Sequence, residues 1–179
     1  REIQDKLVVP KNQLIELTKG SLTLGNLIVE PFAVSHDAAD PIGINVFSGK
    51  DKATVVTDTG IISDDILHRI DDSTLLVLEA NYDPHMLRFG PYQPFLKQRV
   101  ASDEGHLSNE MAAQALLMMK RPDFMQVILA HRSENNNNAV LVTQTIGKML
   151  VDGGVRIGPE MKLQHGQPNE IVSIQSVKR

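Results

Sequence analysis

The sequence predicts one α/β domain, and three observations support that prediction. Its 179 residues suffice for one hydrophobic core that buries about 70% of the surface of the unfolded chain. Hydrophobic residues at 41%, charged residues at 22% and a mean hydropathy of -0.15 are typical of a globular domain rather than a membrane, fibrous or disordered protein. Short runs of Val, Ile and Leu dominate the first half, whereas helical patterns come later. We therefore expect residues 1–179 to form a single domain, with strands first and helices interleaved afterwards.

Strands are predicted where a short run of Val, Ile or Leu ends at a glycine, a proline or a polar cluster. Four such runs near the amino end predict a meander, at residues 7–9, 14–17, 22–24 and 27–29. Four further runs predict strands at residues 44–47, 53–56, 75–78 and 125–129. Two runs near the carboxyl end, at residues 155–157 and 171–174, predict closing strands around a turn at residues 166–168.

Three helices are predicted in the second half, at residues 91–100, 107–120 and about 137–151. Either Ser108 or Asn109 supplies an N-cap for the second helix. The third helix stops at Asp152-Gly153-Gly154, and glycine is the residue type most typical of a helix C-terminus.

Composition also excludes several classes of function. The chain contains no cysteine, so it has no disulfide framework, thiol nucleophile or thiolate metal site, and any metal must be held by His, Asp and Glu. A net charge of -4 excludes attachment to nucleic acid by bulk charge alone, so a nucleic-acid substrate would need a local site. The longest apolar runs are far shorter than the roughly 20 residues of a spanning helix, and no cleavable signal is evident. We therefore expect a cytoplasmic protein with no membrane partner.

Residues able to bind a metal or move a proton follow four of the predicted strands. Because loops beyond the carboxyl ends of strands converge in α/β architectures, these residues are expected to meet in one crevice. The four clusters are Ser35-His36-Asp37, Thr57-Asp58-Thr59-Gly60, Leu78-Glu79-Ala80-Asn81 and Ala130-His131-Arg132-Ser133. A lone histidine after a strand is more often structural than a ligand, and an Asp before Thr-Gly is usually a turn former. Against that, Asp58 ends an apolar strand, where burying a carboxylate is costly without a cation, which favours a metal or catalytic role.

A fifth cluster, Gly105-His106-Leu107-Ser108-Asn109-Glu110, lies at the start of the second predicted helix. The N-cap explains Ser108 or Asn109 but gives no role to His106. His106 is either an exposed loop residue or a general acid that protonates a leaving oxygen. The remaining histidines have no such setting, and we expect His68, His85 and His165 to be surface residues.

Several windows together resemble the YycJ/WalJ/VicX-like branch of the metallo-β-lactamase-fold hydrolases, relatives of RNase Z and RNase J. The matching windows lie at residues 32–41, 57–60, 78–83, 86–87, 92–100, 105–109, 129–133 and 135–136. Their order matches as well as their letters, and the 22-residue separation of His36 and Asp58 is like that between the third and fourth metal motifs of the RNase J branch. Two positions depart from the family: His usually stands where Tyr82 is found, and a small or apolar residue where Arg132 is found.

The resemblance implies an αββα sandwich with a site for two divalent ions, zinc or manganese, at the top of two sheets. In it, His36 would bind one ion, Asp58 would bridge both and His131 would bind the other. Glu79 and His106 would assist proton transfer to the leaving group. Candidate substrate contacts are Ser133, Asn136 and Arg132, although a solvent-facing role for Arg132 is equally consistent with the sequence.

The family signature His-x-His-x-Asp-His does not occur, and no histidine precedes His36. We therefore expect the chain to be the carboxy-terminal part of a longer protein, with a fold incomplete at its amino terminus. The implied ions would then bind partially or not at all. The chain would be expected to associate with its own amino-terminal segment or to dimerise, because an incomplete sandwich exposes apolar sheet surface.

The resemblance implies a metal-dependent phosphodiesterase acting on DNA or RNA, specifically an exonuclease, which would be inactive as this chain alone. Two alternatives stay open: a hydrolase of the same fold acting on a thioester, lactone or lactam, and a metal-free, non-catalytic fragment. The pair Glu79 and His106 discriminates, because nuclease relatives carry it and a simple lactonase has no need of it. Scattered basic residues give only weak support for a nucleic-acid groove, since such residues more often form a solvated surface; they are Arg88, Lys97, Arg99, Lys120, Arg121 and Arg132.

Overall fold

A computed structural model of the protein describes residues 10, 15, 17, 20–167 and 170–174. Seven strands form one mixed sheet whose spatial order follows the chain. The strands are β1 (Leu22–Leu24), β2 (Leu27–Ala33), β3 (Ile42–Ser48), β4 (Asp51–Val56), β5 (Leu75–Glu79), β6 (Met125–Ala130) and β7 (Met161–His165). The helices are α1 (Asp64–Ile70), α2 (Pro84–Phe89), α3 (Pro94–Val100), α4 (Asn109–Met118) and α5 (Ala139–Asp152).

Strand direction determines where the loops meet. Strands β1 to β4 pair antiparallel, and β4 to β7 pair parallel. Strands β2, β4, β5 and β6 consequently all run the same way and end at one edge of the sheet. The residues that follow these four strands are therefore brought to the same edge.

Short polar side chains begin four of the helices. Ser63, Asp83, Ser108 and Asn138 are the N-caps of α1, α2, α4 and α5, and each side chain accepts a hydrogen bond from a backbone N–H of the first turn. Helix α3 instead begins with Pro94, whose fixed φ suits the first helical position and whose missing N–H costs nothing there.

The main core lies on one face of the sheet, under α1, α4 and α5. Along β5 and β6, the residues that point to this face alternate with those that do not, as the period of a strand requires. Leu76 and Leu78 of β5 and Val127 and Leu129 of β6 are all buried in it. Burying a side chain of this size stabilises a fold by roughly 1.5–3 kcal/mol. On the opposite face, Val55 is 39% exposed.

The predicted α/β class is confirmed, as are the predicted strands at 22–24, 27–29, 44–47, 53–56, 75–78 and 125–129. The helices predicted at 107–120 and 137–151 are confirmed with small shifts at their ends, and the helix predicted at 91–100 begins at Pro94. The part of the chain that the structure describes contains one sheet. The strand predicted at 7–9 lies outside the described residues, as do residues 14 and 16 of the strand predicted at 14–17 and the end of the turn at 166–168.

Two predicted strands are wrong. Residues 155–157 contribute only an isolated bridge between Ile157 and Met161, and residues 171–174 have no regular structure. The closing strand is instead β7, because Met161 and Leu163 alternate on the helix-covered face beside β6. Helices α1 and α2 were not predicted from the sequence. No helix among the described residues is both long enough and apolar enough to cross a membrane.

Two glycine-to-alanine substitutions test the packing that positions the site. A Cβ on Gly105 would lie 2.2 Å from the Arg99 carbonyl oxygen and 2.4 Å from that of Val100. We predict that Gly105→Ala lowers the free energy of unfolding by about 1–3 kcal/mol, as overpacking does. Gly147 lies inside α5, where the nearest atom to an added Cβ is 3.9 Å away. Gly147→Ala should therefore raise the free energy of unfolding by about 0.5–1 kcal/mol. Denaturant titration measures both, and equal effects would contradict the close approach at Gly105.

Candidate metal centre

Four candidate residues lie at the carboxyl edge of the sheet. Glu79 is the last residue of β5 and His131 directly follows β6, while His36 and Asp58 lie two or three residues beyond β2 and β4. His106 reaches the same edge from the loop between α3 and α4. We call these five residues the histidine centre.

Glu79 is the buried hub of the histidine centre. Its side chain has no exposed surface, and its Oε1 accepts hydrogen bonds from Nδ1 of His106 at 2.7 Å and from Nδ1 of His131 at 2.8 Å. Its Oε2 accepts one from the backbone N–H of Thr59 at 3.0 Å. Three donors thus satisfy a carboxylate whose burial would otherwise be costly.

The electrostatics of the hub follow from these contacts. Burial raises the pKa of the Glu79 carboxyl, but the hydrogen bonds from His106, His131 and Thr59 outweigh burial and hold this pKa below its ordinary value. The hydrogen bond to Glu79 raises the pKa of His131, and burial opposes that shift only in part. Glu79 is therefore ionised at neutral pH and stabilises positive charge on His131.

Three imidazoles have Nδ1 engaged, which leaves Nε2 as the atom that can bind a cation. His36 Nδ1 donates to the Gly105 carbonyl oxygen at 3.0 Å, and His106 and His131 donate to Glu79. A histidine that donates Nδ1–H to an oxygen presents the lone pair of Nε2, the arrangement found for metal-binding histidines.

Asp58 connects the outer imidazoles. Its Oδ1 lies 3.6 Å from Nε2 of His36 and 3.6 Å from Nε2 of His131. His106 lies between the same two residues, with ring centroids 5.1 Å from His36 and 5.2 Å from His131. Potential ligand atoms lie within 4.8 Å of one another in two sets, His36 with Asp58 and His106, and Glu79 with His106 and His131.

This donor set fits a divalent metal. Neutral imidazole nitrogen and carboxylate oxygen are the ligands that zinc takes in the absence of thiolates, and manganese accepts the same mixture. An oxygen of Asp58 placed equally far from two Nε2 atoms also suits a carboxylate shared by two cations. The histidines and carboxylates at this edge therefore fit the divalent metal ions that the sequence resemblance implies.

The backbone at two of these residues is strained. Asp58 has φ 55° and His131 has φ 53°, in the left-handed region that residues with a side chain seldom adopt. The neighbouring strand ends hold both in place: Thr59 donates to Glu79, and Asn81 Nδ2 donates to the His131 carbonyl oxygen at 2.7 Å. Such strain clusters at functional sites, where the surrounding structure over-determines it.

A cleft of about 480 Å³ opens above His36, Asp58, His106 and His131. This volume is in the range of ordinary ligand sites. Residues of the loop after β6 line one side, and residues of α3 and the segment before it line the other. The further lining residues are Asn81, Tyr92, Leu96, Arg99, Val100, Arg132, Ser133, Glu134 and Asn135.

Arg132 and Ser133, predicted from the sequence as substrate contacts, line the cleft. Asn136, the third such residue, is fully buried, and its Nδ2 donates to Ser133 Oγ at 3.4 Å. Its neighbour Asn135 lines the cleft instead, and Asn135 Nδ2 donates to the Tyr92 hydroxyl at 3.5 Å. Asn135 was not predicted as a site residue, although it lies in the window 135–136 that resembles the family.

The other three histidines lie away from the cleft lining. His68 and His85 are exposed, as the sequence predicts. His165 is partly exposed at the end of β7, and its Nε2 pairs with Thr143 Oγ1 at 2.9 Å. Burial lowers the pKa of His165, with Arg132 adding to the effect.

A mixed sheet whose carboxyl edge gathers imidazoles and a carboxylate is the arrangement that the resemblance to metallo-β-lactamase-fold hydrolases implies. The model of the Beta-lactamase superfamily domain matches residues 2–131, so the chain belongs to the beta-lactamase superfamily. The sequence is 34% identical over 170 residues to exodeoxyribonuclease YycJ of Bacillus anthracis, covering 94% of this chain and 64% of the relative. The chain therefore spans less than two thirds of the length of that relative. The predicted resemblance to the YycJ and WalJ branch is confirmed.

Two solved structures show the same fold at low identity. The metallo-β-lactamase fold protein YhfI from Bacillus subtilis superposes with a TM-score of 0.57 at 12% identity, over 83% of this chain and 50% of its own. Zn(2+)-bound PqqB from Methylobacterium extorquens superposes with a TM-score of 0.55 at 17% identity, over 86% of this chain and 50% of its own. In both, about half of the other chain corresponds to this one.

The effect of the Glu79 carboxylate on the pKa of His131 can be tested by substitution. Replacing the Glu79 carboxylate with a neutral amide removes the interaction that raises the pKa of His131, so Glu79→Gln should lower that pKa. Imidazole NMR shifts followed against pH without added metal measure it. Glu134→Gln is the control, since Glu134 lines the same cleft but is not among the groups that shift His131. An unchanged His131 pKa in Glu79→Gln would show that the hub does not act on it.

Proposed function

We propose that the chain supplies the carboxy-terminal ligands and proton-transfer residues of a metal-dependent DNA exonuclease. The observation that carries this proposal is the position of Asp58 Oδ1, 3.6 Å from Nε2 of both His36 and His131 while their Nδ1 atoms are occupied elsewhere. The name of the relative YycJ, an exodeoxyribonuclease, supports DNA as substrate.

In this proposal, His36 would help to hold one divalent ion, His131 would help to hold the other, and Asp58 would contribute to both, with zinc or manganese as the metal. Bound ions supply positive charge for the phosphoryl oxygens and lower the pKa of the attacking water. Glu79 fixes the tautomer of His131, since Nδ1–H donates to its Oε1 and Nε2 keeps its lone pair.

His106, when its imidazole is protonated on both nitrogens, is proposed to donate the Nε2 proton that the leaving oxygen needs, while its Nδ1–H stays on Glu79 Oε1. Its Nδ1 is held by Glu79 at 2.7 Å, and it lines the cleft between His36 and His131. Glu79 acts through the imidazole and, being fully buried, is a positioning residue for His106 rather than a group that meets substrate. A proton donor held in this way typically contributes a factor of about 100 to 10,000 in rate.

The cleft wall after β6 is proposed to bind the phosphate backbone. Arg132 offers a guanidinium and Ser133 a hydroxyl along this wall. The backbone N–H of Ser133 donates to the Asn81 carbonyl oxygen at 2.9 Å, which fixes the loop against the end of β5. A guanidinium held beside a metal centre suits a phosphodiester, because it can pair with two phosphate oxygens.

The contact between Glu79 and His106 favours phosphodiester cleavage over the alternative of a small-molecule hydrolase. An alkoxide leaving group from DNA needs a proton, and this pair holds an imidazole in the cleft for that purpose. A metal-free, non-catalytic role would leave the convergence of three imidazoles and Asp58 in one cleft unexplained.

We further propose that a segment bearing the His-x-His-x-Asp-His signature completes the ligand set. His36 with Asp58 gives one ion two protein ligands, and His131 with Asp58 gives the other ion two. Catalytic zinc usually takes three protein ligands, so each ion lacks at least one.

Two substitutions separate metal binding from proton transfer in a protein that includes such a segment. We predict that Asp58→Ala abolishes both metal content and DNA hydrolysis. His106→Ala should keep the metals and slow hydrolysis by roughly 100-fold or more. Elemental analysis and release of nucleotides from end-labelled DNA are the measurements. His68→Ala, at an exposed histidine of α1, is the matched control and should change neither. Loss of metal in His106→Ala would contradict the role assigned to His106.

The 179-residue chain by itself makes a second test. We predict weak metal binding and no DNA turnover, with both restored when the signature-bearing segment is added as a separate polypeptide. Isothermal titration with Zn²⁺ or Mn²⁺ and the same nuclease assay measure this. Chelator-sensitive hydrolysis by the monomeric 179-residue chain alone would contradict the prediction.

A further inference from the structure

The segment between β5 and α4 forms one wall of the cleft and is anchored separately from the main core. Helices α2 and α3 of this segment pack on a second, small cluster in which Tyr82, Leu87 and Val100 are buried. Tyr92 and Leu96 lie against this cluster and also line the cleft. We call residues 84–100 the aromatic wall. Packing on this small core holds the aromatic wall in place beside the histidine centre.

The aromatic wall exposes ring surface to an unusual degree. The chain has five phenylalanines and two tyrosines, all within the described residues. Phe89 is 67% exposed and Phe95 is 71% exposed, and both belong to this wall. The other aromatic residues are buried or half-buried, including Tyr92 in the cleft. Phe89 and Phe95 are not among the cleft-lining residues, but they belong to the segment whose Tyr92 and Leu96 line the cleft. Exposed phenylalanine side chains on such a segment point to a ligand with flat apolar faces.

The charge of the aromatic wall is positive although the chain as a whole carries -4. Residues 84–102 contain no aspartate or glutamate, whereas Arg88, Lys97 and Arg99 lie on α2 and α3. Arg99 is paired with Asp37, and Lys97 Nζ donates to the Arg88 carbonyl oxygen at 2.8 Å. Arg88 lies 5.3 Å from the centre of the Phe89 ring, so a cation and a ring are presented together.

From this combination we infer that the aromatic wall is the platform for the single strand of a DNA substrate, an inference that rests on the proposed function. Bases stack on Phe89 and Phe95, and the strand continues past Tyr92 into the cleft, while Arg88 and Lys97 contact phosphates. Stacking of this kind tolerates any sequence, because every base has a π face. Paired bases within a duplex do not expose that face, so the occupant is an unpaired strand.

Because the chain contains no tryptophan, one substitution provides a direct optical test. Phe95→Trp places a single indole on the wall and preserves an aromatic ring. Its fluorescence should be quenched by oligothymidylate, but not by an abasic oligonucleotide of equal length that offers phosphates alone. Met118→Trp is the control, since Met118 is 67% exposed on α4 and is not among the cleft-lining residues. Equal quenching by the abasic strand, or none by oligothymidylate, would overturn the inference.

Affinity measurements on the 179-residue chain test the same surface. Phe89→Ala and Phe95→Ala should each weaken binding of fluorescein-labelled oligothymidylate by about 5- to 150-fold, with Phe95→Trp retaining affinity. Arg88→Ala and Lys97→Ala should each lower the slope of log K against log salt by about 1. Lys50→Ala should not, because Lys50 lies in the β3–β4 turn at the opposite edge of the sheet. Unchanged affinity in both phenylalanine variants would contradict the inference that these rings bind DNA. The rings would then serve another partner, such as a protein.

The binding assays contain a chelator, so they do not depend on hydrolysis. Ring-dependent binding without any DNA hydrolysis in the completed protein would support the platform and refute the proposed nuclease. Hydrolysis whose KM for single-stranded DNA is unchanged in Phe89→Ala and Phe95→Ala would support the nuclease and refute the platform. The two failures are therefore distinguishable.

Discussion

The buried carboxylate of Glu79 is the interaction on which the rest of the centre depends. One oxygen holds two imidazoles and the other holds the backbone that follows β4, so a single side chain joins three chain segments. A buried carboxylate with fewer partners would be costly, and its pKa would rise. Here the donors hold that pKa below the ordinary value, and the charge remains. That charge in turn sets the tautomer of His106 and His131, so the chemistry of both depends on one residue that meets no solvent.

Stability and chemistry make opposite demands at the carboxyl edge of this sheet. Asp58 and His131 adopt left-handed backbone conformations, which disfavour folding locally. The parallel pairing of β4, β5 and β6 and the helix-covered core beneath them supply the compensating stability. Two contacts fasten the strained residues to the strand between them: Thr59 to Glu79 and Asn81 to the His131 carbonyl. Hydrogen bonds through the site thus connect the ends of neighbouring strands. Contacts between strand ends, and not the loops alone, therefore stabilise this edge of the sheet.

The sequence predicted the residues of the centre better than their interactions. Because β2, β4, β5 and β6 all end at one edge, strand-end position alone brings His36, Asp58, Glu79 and His131 together, and each strand was visible as an apolar run. Nothing in the spacing shows that one oxygen of Glu79 serves two imidazoles, since this depends on side-chain orientation. Helices α1 and α2 have seven and six residues, too short to develop a helical period. Strand β7 was missed because Lys162 and Gln164 interrupt its apolar residues, although that alternation suits a strand with one face in the core.

The residues proposed to hold cations and the surface inferred to hold DNA come from different parts of the chain. The proposed ligand residues come from strand ends, where the sheet sets their spacing and a shift of one residue would turn the following side chain to the other face. The aromatic wall comes from the β5–β6 crossover and rests on its own small core of Tyr82, Leu87 and Val100. Changes in the rings of that wall therefore leave the register of the sheet untouched. His106 lies on the loop that joins the two parts, since it follows α3 and yet donates to Glu79. If the proposed nuclease and the inferred platform both hold, a residue in that position couples binding of a strand on the wall to proton donation, because both depend on where the end of α3 lies.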